Sequence, residues 1–288
     1  MRNSMKHPGP AARVTRRIGA GVLVVLLLLY LFLRIGYAIS ENNIRVWKPA
    51  GAPEDIAPLL EKEILTEEDY ALLYRQTGLT RIGVDRARAR GPIGRQKILD
   101  IQKSCFEDHG LAPDAFFLWT CTDYTEIPAV AGYLEDGDII VTASTHLSAW
   151  RIGHAGLVVN AADNQVLQAA EYGEPSCIGT IADFTNRINF MILRPRASAE
   201  VKQQVVAYAK ENLVGLPYTA FLGTGYHENV CKTQCAHLVW YAYHAVGYEL
   251  IDGDRRILLP YDLSRSGEVE LVQTFGFDPE TLWDRLFH

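Results

Sequence analysis

Thr233-Gln234-Cys235-Ala236-His237-Leu238-Val239-Trp240-Tyr241-Ala242-Tyr243 is the stretch on which the reading of this chain turns. It places a thiol where a loop-like sequence gives way to an apolar helical run. A helix N-terminus offers unpaired backbone N–H groups and a partial positive charge, which favour thiolate over thiol and predict a lowered cysteine pKa. The thiolate is the attacking species in acyl transfer. The competing reading is a buried structural cysteine, since free cysteines are among the most buried residues. The helix is expected to run to Val246 and to stop at Gly247, where a left-handed residue ends it.

Composition narrows the surroundings of that thiol. The chain has 288 residues, 48% of them hydrophobic, enough for a full-sized domain with an extension. A net charge of -6 and the lack of a Lys/Arg block beyond the N-terminus exclude a nucleic-acid-binding surface. The cysteines Cys105, Cys121, Cys177, Cys231 and Cys235 form an odd set without the paired spacing of a tetrahedral zinc site. The expectation is therefore no metal and no cofactor, with at least one thiol left free or paired to another chain.

The N-terminus carries a basic head over residues 1–17 (Arg2, Lys6, Arg13, Arg16, Arg17) and then an apolar run from Ile18 to Leu33. Crossing the hydrocarbon core takes ~20 residues, which the run reaches when Arg34 snorkels and the stretch to Ile39 is counted. The predicted transmembrane signal-anchor covers 18–39, with Ile18 to Ile39 in contact with the bilayer lipid. Positive charge ahead of it predicts a cytoplasmic head and an extracytoplasmic domain, single-pass in the cell membrane. Cleavage near Gly36-Tyr37-Ala38 is the competing reading, but the run exceeds the about 7–15 residues of a signal-peptide core.

Residues 40–53, polar and marked by Pro and Gly, read as a linker lifting the domain off the bilayer. A helical cap region is expected over 54–130. Ile56, Leu59, Leu60 and Ile64 recur at helical spacing over Glu54 to Leu65, and Thr66-Glu67-Glu68-Asp69 reads as a capped second helix start. Arg86 to Arg95 is broken by Gly91-Pro92, and helical periodicity resumes from Ile93 to Phe106. The catalytic domain is expected over 131–288. There, Ile139 to Thr142, Ile152 to Asn160, Gln165 to Ala170 and Phe190 to Arg194 read as strands of an antiparallel meander, followed by a helix from Ser198 to Leu213.

A nucleophilic cysteine needs a base and a polar group that fixes the ring of that base. His154 is the leading candidate, because it opens the strand His-Ala-Gly-Leu-Val-Val between Gly153 and Gly156, where backbone and ligand can approach closely. A half-buried structural histidine is the plainer alternative. His237 and His244 share the nucleophile's helix: His237, two positions on, points to a different face, and His244 lies too far along it to accept the thiol proton. His146, ahead of a predicted loop, and His227, in the loop before the cysteine, are candidate substrate contacts.

These residues carry a family resemblance. Gly215-Leu216-Pro217-Tyr218, a loop, and then Cys235-Ala236-His237-Leu238-Val239 resembles the nucleophile half of the NlpC-type papain-like cysteine hydrolases. Gly137-Asp138-Ile139-Ile140, then His154-Ala155-Gly156 and Val166-Leu167-Gln168-Ala169, resembles the histidine half. The halves stand in reversed order, as in the circularly permuted branch that includes the YiiX-like proteins and the lecithin retinol acyltransferase group. Leu259-Pro260-Tyr261-Asp262-Leu263 resembles the YiiX-like tail. The resemblance covers about Leu134 to Ser266 and implies an α+β, papain-like (permuted NlpC-type) fold with an antiparallel sheet packed on the nucleophile helix.

It also implies Cys235 as nucleophile, His154 as base and Gln168 as the polar third member, with Tyr218 near the substrate. Gln168 replaces a histidine or an acid, which makes Glu171, three residues on, the alternative partner of the ring. Ala236 replaces a serine and leaves the cysteine's own N–H as an oxyanion donor. Asp138 is read as strand-entry structure. The function implied is a membrane-anchored cysteine hydrolase, an amidase or peptidase, acting on cell-wall peptide amide bonds. A lipid-directed acyltransferase or acyl hydrolase of the same fold, and a binding module without turnover, are the alternatives.

Overall fold

The computed structural model describes residues 10–117, 119–284 and 286. Arg2 and Lys6 of the basic head and the C-terminal His288 lie outside them. The chain opens with α1 (Pro10–Asn42), the one helix among the described residues long and apolar enough to cross a membrane. At ~1.5 Å per residue it spans about 50 Å, longer than the ~30 Å hydrocarbon core. The excess is used for packing. From Leu33 onward one face of α1 lies against the domain, where Ser148 Oγ donates to the Leu33 carbonyl at 3.0 Å and Ser40 is fully buried.

Next come α2 (Ala57–Leu60), α3 (Glu67–Thr77), α4 (Arg81–Arg88) and α5 (Pro92–Phe106). The helix expected from Glu54 to Leu65 is a single turn. Pro58 sits in its first turn, and Thr66 must be extended (φ -83°, ψ 171°) to cap α3, so the chain leaves helical geometry and exposes Ile64. The α3 capping box forms as expected: Asp69 N–H donates to Thr66 Oγ1 at 3.2 Å and Thr66 N–H to Asp69 Oδ2 at 3.0 Å. Gly91, at φ +64°, turns the chain between α4 and α5.

The remaining elements are β1 (Asp114–Phe117), β2 (Thr120–Thr122), β3 (Ile139–Thr142), β4 (Thr145–Leu147), β5 (Trp150–Arg151), β6 (His154–Asn160), β7 (Gln165–Gln168), β8 (Cys177–Thr180), α6 (Ala182–Thr185), β9 (Phe190–Pro195), α7 (Ala199–Asn212), α8 (Cys235–His244), α9 (Pro260–Ser264) and β10 (Val269–Phe275). They form two antiparallel sheets, one in the order β10-β9-β3-β6-β7-β8 and a smaller one in the order β1-β2-β4-β5. The architecture is α+β.

Strand alternation divides the core into two layers. Ile139, Val141, Leu157, Val159, Met191 and Leu193 face α7 and α8, where Trp240 and Tyr243 are fully buried. Ile140, Val158, Val166, Phe190, Ile192 and Val272 point the other way, onto Leu73, Val84, Ile98 and Ile101 of the cap helices. The cap is thus half of the core. Residues 43–53, expected to be a tether, lie along the domain, with Trp47 N–H bonded to the Gly276 carbonyl and Lys48 paired to Asp108.

Asp138 has the structural place foreseen for it. Its carboxylate accepts two hydrogen bonds from Arg194 on β9, at 2.9 and 2.8 Å, and a third from the Glu135 amide. This buried ion pair pins the entry of β3 to its neighbour.

Candidate active site

Cys235 is the first residue of α8, and Gln234 caps that helix. Gln234 Oε1 accepts from the Ala236 amide at 2.9 Å and from the Cys235 thiol at 3.3 Å, while its Nε2 donates to the Leu258 carbonyl at 2.7 Å. The Ala236 amide is therefore taken. The Cys235 amide has no backbone acceptor among the described residues and lies against the sulfur, whose charged form it favours.

The preceding loop is held by a parallel bridge between Tyr218 and Thr233 and by Thr219 N–H bonded to the Thr233 carbonyl. His237 is buried structure: its Nε2 bonds the Tyr226 carbonyl at 2.7 Å and secures the loop from below.

His154 opens β6 and stacks on Phe184 of α6 with ring centroids 5.2 Å apart. Gly156 pairs with Gln168 across β6 and β7, which sets the Gln168 side chain diagonal to His154 on one face. His154 Nε2 meets Gln168 Oε1 at 2.8 Å, and Gln168 Nε2 donates to Asp183 Oδ2 at 2.6 Å. This chain fixes a tautomer. A carboxylate only accepts, so the amide nitrogen of Gln168 must face Asp183 and its oxygen must face the ring. That oxygen accepts a hydrogen bond from Nε2–H, and Nδ1 is left with a lone pair, as a base requires. Gln168 rather than Glu171 holds the imidazole; Glu171 is exposed at the cavity edge.

Cys235 and His154 both line one cavity of about 460 Å³ with Tyr218, Glu171 and Arg187. Its walls are largely aromatic and aliphatic, with Phe116, Trp119, Tyr124, Leu147, Ile152, Tyr172 and Phe221. No hydrogen bond joins the thiol to the imidazole among the described residues, the thiol being turned toward Gln234. The other two sequence candidates lie elsewhere. His146 faces away from the cavity because, on β4, its neighbours Thr145 and Leu147 take the cavity face. His227 bonds the Thr224 carbonyl at 3.0 Å and packs beside His244.

The electrostatics correct the expectation of a low cysteine pKa. Burial pushes the Cys235 thiol up to about 11, although the amides of Ala155, Ala236 and Cys235 and the Arg187 guanidinium pull it down. Burial, helped by Arg187, holds His154 down to about 3 against the opposing bond from Gln168. The pair rests as neutral thiol and neutral imidazole. Burial and the nearby sulfur also raise the Tyr218 hydroxyl.

Arg187 went unnoticed in the sequence. It is 7% exposed and lines the cavity beside the thiol. Its Nε donates to the Asp183 carbonyl at 2.7 Å and its Nη1 to Thr145 Oγ1 at 3.2 Å. No carboxylate forms an ion pair with it among the described residues. Asp183 was missed as well. Their spacing of four residues, which brings two side chains to one side of a helical turn, is the only signal the sequence offers.

Compared with known proteins, the chain matches no family model, no curated protein and no solved structure.

Proposed function

We propose that this chain is a membrane-associated cysteine acyl hydrolase or acyltransferase acting on an acyl lipid. The observation that carries the reading is the shared cavity. Cys235 and His154 open into one apolar chamber, and its wall residue Trp119 packs edge-on against Tyr30 of α1 at 6.3 Å between ring centroids. The chamber therefore adjoins the apolar helix. Phe116, Tyr172 and Phe221 at its rim are 51%, 74% and 57% exposed, a surface suited to the amphipathic boundary of a bilayer.

In the proposed reaction His154 Nδ1 takes the thiol proton as Cys235 Sγ attacks the acyl carbonyl. The Cys235 amide and Arg187 stabilise the developing oxyanion. The imidazolium returns its proton to the leaving alcohol or amine, giving a thioester. Water, or an acceptor nucleophile deprotonated by the neutral His154, then releases the acyl group and restores the thiol. Asp183 and Gln168 hold the ring through Nε2–H throughout, so that Nδ1 is the atom that takes and returns the proton. With the basic head in the cytoplasm, α1 would hold the domain on the extracytoplasmic face.

Cell-wall peptide amides, which the resemblance implies, would meet mainly aromatic walls in this chamber. The two substrates separate in one experiment. Full-length protein in lipid nanodiscs is incubated with phospholipid and, in parallel, with peptidoglycan fragments, and released fatty acid and amine are measured. Fatty acid release lost in Cys235→Ala, with the fold retained by circular dichroism, is the expected result. Amine release alone would move the substrate to peptides. Activity that survives in Cys235→Ala would remove the mechanism, and no turnover with any acyl donor would leave a binding module.

A further inference from the structure

A second cluster lies on the opposite face of the small sheet, independent of the proposed reaction. Cys121 on β2 stands directly across from His146 on β4, so both side chains leave the sheet on one side. Asp123 follows β2, and Glu41 comes from the last turn of α1. The ligand atoms of these four residues all lie within 4.8 Å of one another. Cys121, Asp123 and His146 are buried, His146 and Asp123 completely.

His146 gives the cluster its direction. Its Nδ1 lies 2.8 Å from the Ser148 carbonyl, which only accepts, so Nδ1 carries the ring proton. The Nε2 lone pair then points at Asp123 Oδ1, 3.3 Å away, and Glu41 Oε1, 3.6 Å away. Both His146 Nε2 and Glu41 Oε1 are buried with no hydrogen-bond partner. A lone pair facing two carboxylate oxygens in a buried site is repulsive unless a proton or a metal ion lies between them, and Nε2 makes no hydrogen bond to either oxygen. A carbonyl holding the far nitrogen is also the usual support of a metal-bound imidazole.

We propose that Glu41, Cys121, Asp123 and His146 form a tetrahedral zinc site that ties the end of α1 to the small sheet. Zinc bonds of ~2.0 Å to N and O and ~2.3 Å to S imply tetrahedral edges of about 3.3 Å between N and O ligands and about 3.5 Å from S to N or O. Three of the six edges stand at 3.3 Å (His146 to Asp123), 3.6 Å (His146 to Glu41) and 3.7 Å (Cys121 Sγ to Asp123 Oδ1), and all six lie within 4.8 Å. Charge closes as well. Two carboxylates and a thiolate, offset by Arg151 on the outer oxygen of Asp123, leave two negative charges for a divalent ion.

Binding replaces the S–H bond by S–Zn and releases the thiol proton to water, with no change of oxidation state. Thiolate and imidazole favour zinc over calcium or magnesium, which prefer oxygen. Four protein ligands close the sphere, so the ion is structural. It would brace strands whose other face, Thr120, Thr122, Thr145 and Leu147, lines the cavity.

The test uses full-length protein in detergent, stripped with a chelator and titrated with zinc and with cobalt(II). Elemental analysis should find one zinc per chain. Cobalt should give the intense visible bands of a tetrahedral ion and a near-ultraviolet thiolate band. Cys121→Ser should abolish the thiolate band, and His146→Ala should lower zinc affinity at least 10-fold, whereas Cys177→Ser leaves both unchanged. Glu41, partly exposed, tests the site without emptying the core: Glu41→Gln should weaken zinc about 10-fold. Folded wild-type protein that binds neither ion stoichiometrically, or Cys121→Ser that keeps the thiolate band, would overturn the proposal.

Discussion

Alkylation of Cys235 by iodoacetamide should be slow at neutral pH and should accelerate about tenfold per pH unit up to pH ~10, because only the thiolate reacts. With the thiol at about 11, roughly one molecule in ten thousand is thiolate at pH 7. A model thiol near pKa ~8.5 is ionised to a few per cent there, so Cys235 should label about 300-fold more slowly than a model peptide, before any effect of access. Proton transfer to His154 does not remove this gap. The thiol at about 11 and the imidazole at about 3 differ by some eight pKa values, or ~11 kcal/mol against the ion pair. Coulomb attraction at ~4 Å returns only about 4 kcal/mol at the effective dielectric of such sites. The assay is mass spectrometry of the Cys235 peptide in a Cys177→Ser, Cys231→Ser background, since those two thiols are exposed. A rate already at its plateau between pH 6 and 7 would mean a standing thiolate–imidazolium pair and refute the reasoning.

Two further outcomes follow from the same geometry. Asp183→Asn lets the Gln168 amide turn and present its NH₂ to the ring, which moves the proton to Nδ1. The lost charge-assisted bond is worth ~1.5–3 kcal/mol, so kcat should fall about 10- to 100-fold with KM little changed, and an unchanged kcat would dismiss the relay. His154 also makes stability depend on pH. Its folded pKa of about 3 lies below the ordinary 6.5, so its contribution is full above pH 6.5 and is lost as pH falls toward the folded value. The slope is ~1.4 kcal/mol per pH unit below 6.5, and His154→Phe should show a shallower loss of denaturant midpoint between pH 6 and 4. Equal slopes would place His154 in contact with solvent.

The parts legible in the sequence are those whose burial follows one period. Ile139 to Thr142, the core of the Ile152 to Asn160 run and Phe190 to Arg194 are strands because apolar stretches flanked by Asp138, Gly153 and Asn189 suit a sheet buried on both faces. The Thr66 cap and the positive φ of Gly247 follow from local chemistry. The small sheet was illegible because Thr120-Cys121-Thr122 and Thr145-His146-Leu147 carry polar residues on both faces, so alternation there signals no core. Cysteine spacing gave no hint of a zinc set because only one of its four ligands is a cysteine. The thiol pKa was misjudged because the helix terminus is local, whereas the burial that overrides it comes from β6, the Tyr218 loop and the residues around Leu258, all distant in sequence.

The neutral resting pair and the apolar chamber belong to one argument. A standing ion pair would need water or several fixed charges close around it, and beside the sulfur and the ring the chamber offers Arg187 amid largely aromatic and aliphatic walls such as Phe116, Trp119, Leu147 and Ile152. In the proposed reaction charge therefore appears only as the acyl carbon is attacked, where the Cys235 amide and the Arg187 guanidinium would meet it. Arg187 is the residue on which this depends most, because among the described residues it is the one permanent positive charge lining the chamber beside the sulfur. Its bonds to the Asp183 carbonyl and to Thr145 hold it in place before substrate arrives. On the proposed reading, a lipid ester suits such a site better than a hydrated peptide does. Its acyl chain displaces water from the aromatic walls, and the low dielectric that suppresses the thiolate at rest then strengthens the attraction between Arg187 and the oxyanion in the transition state.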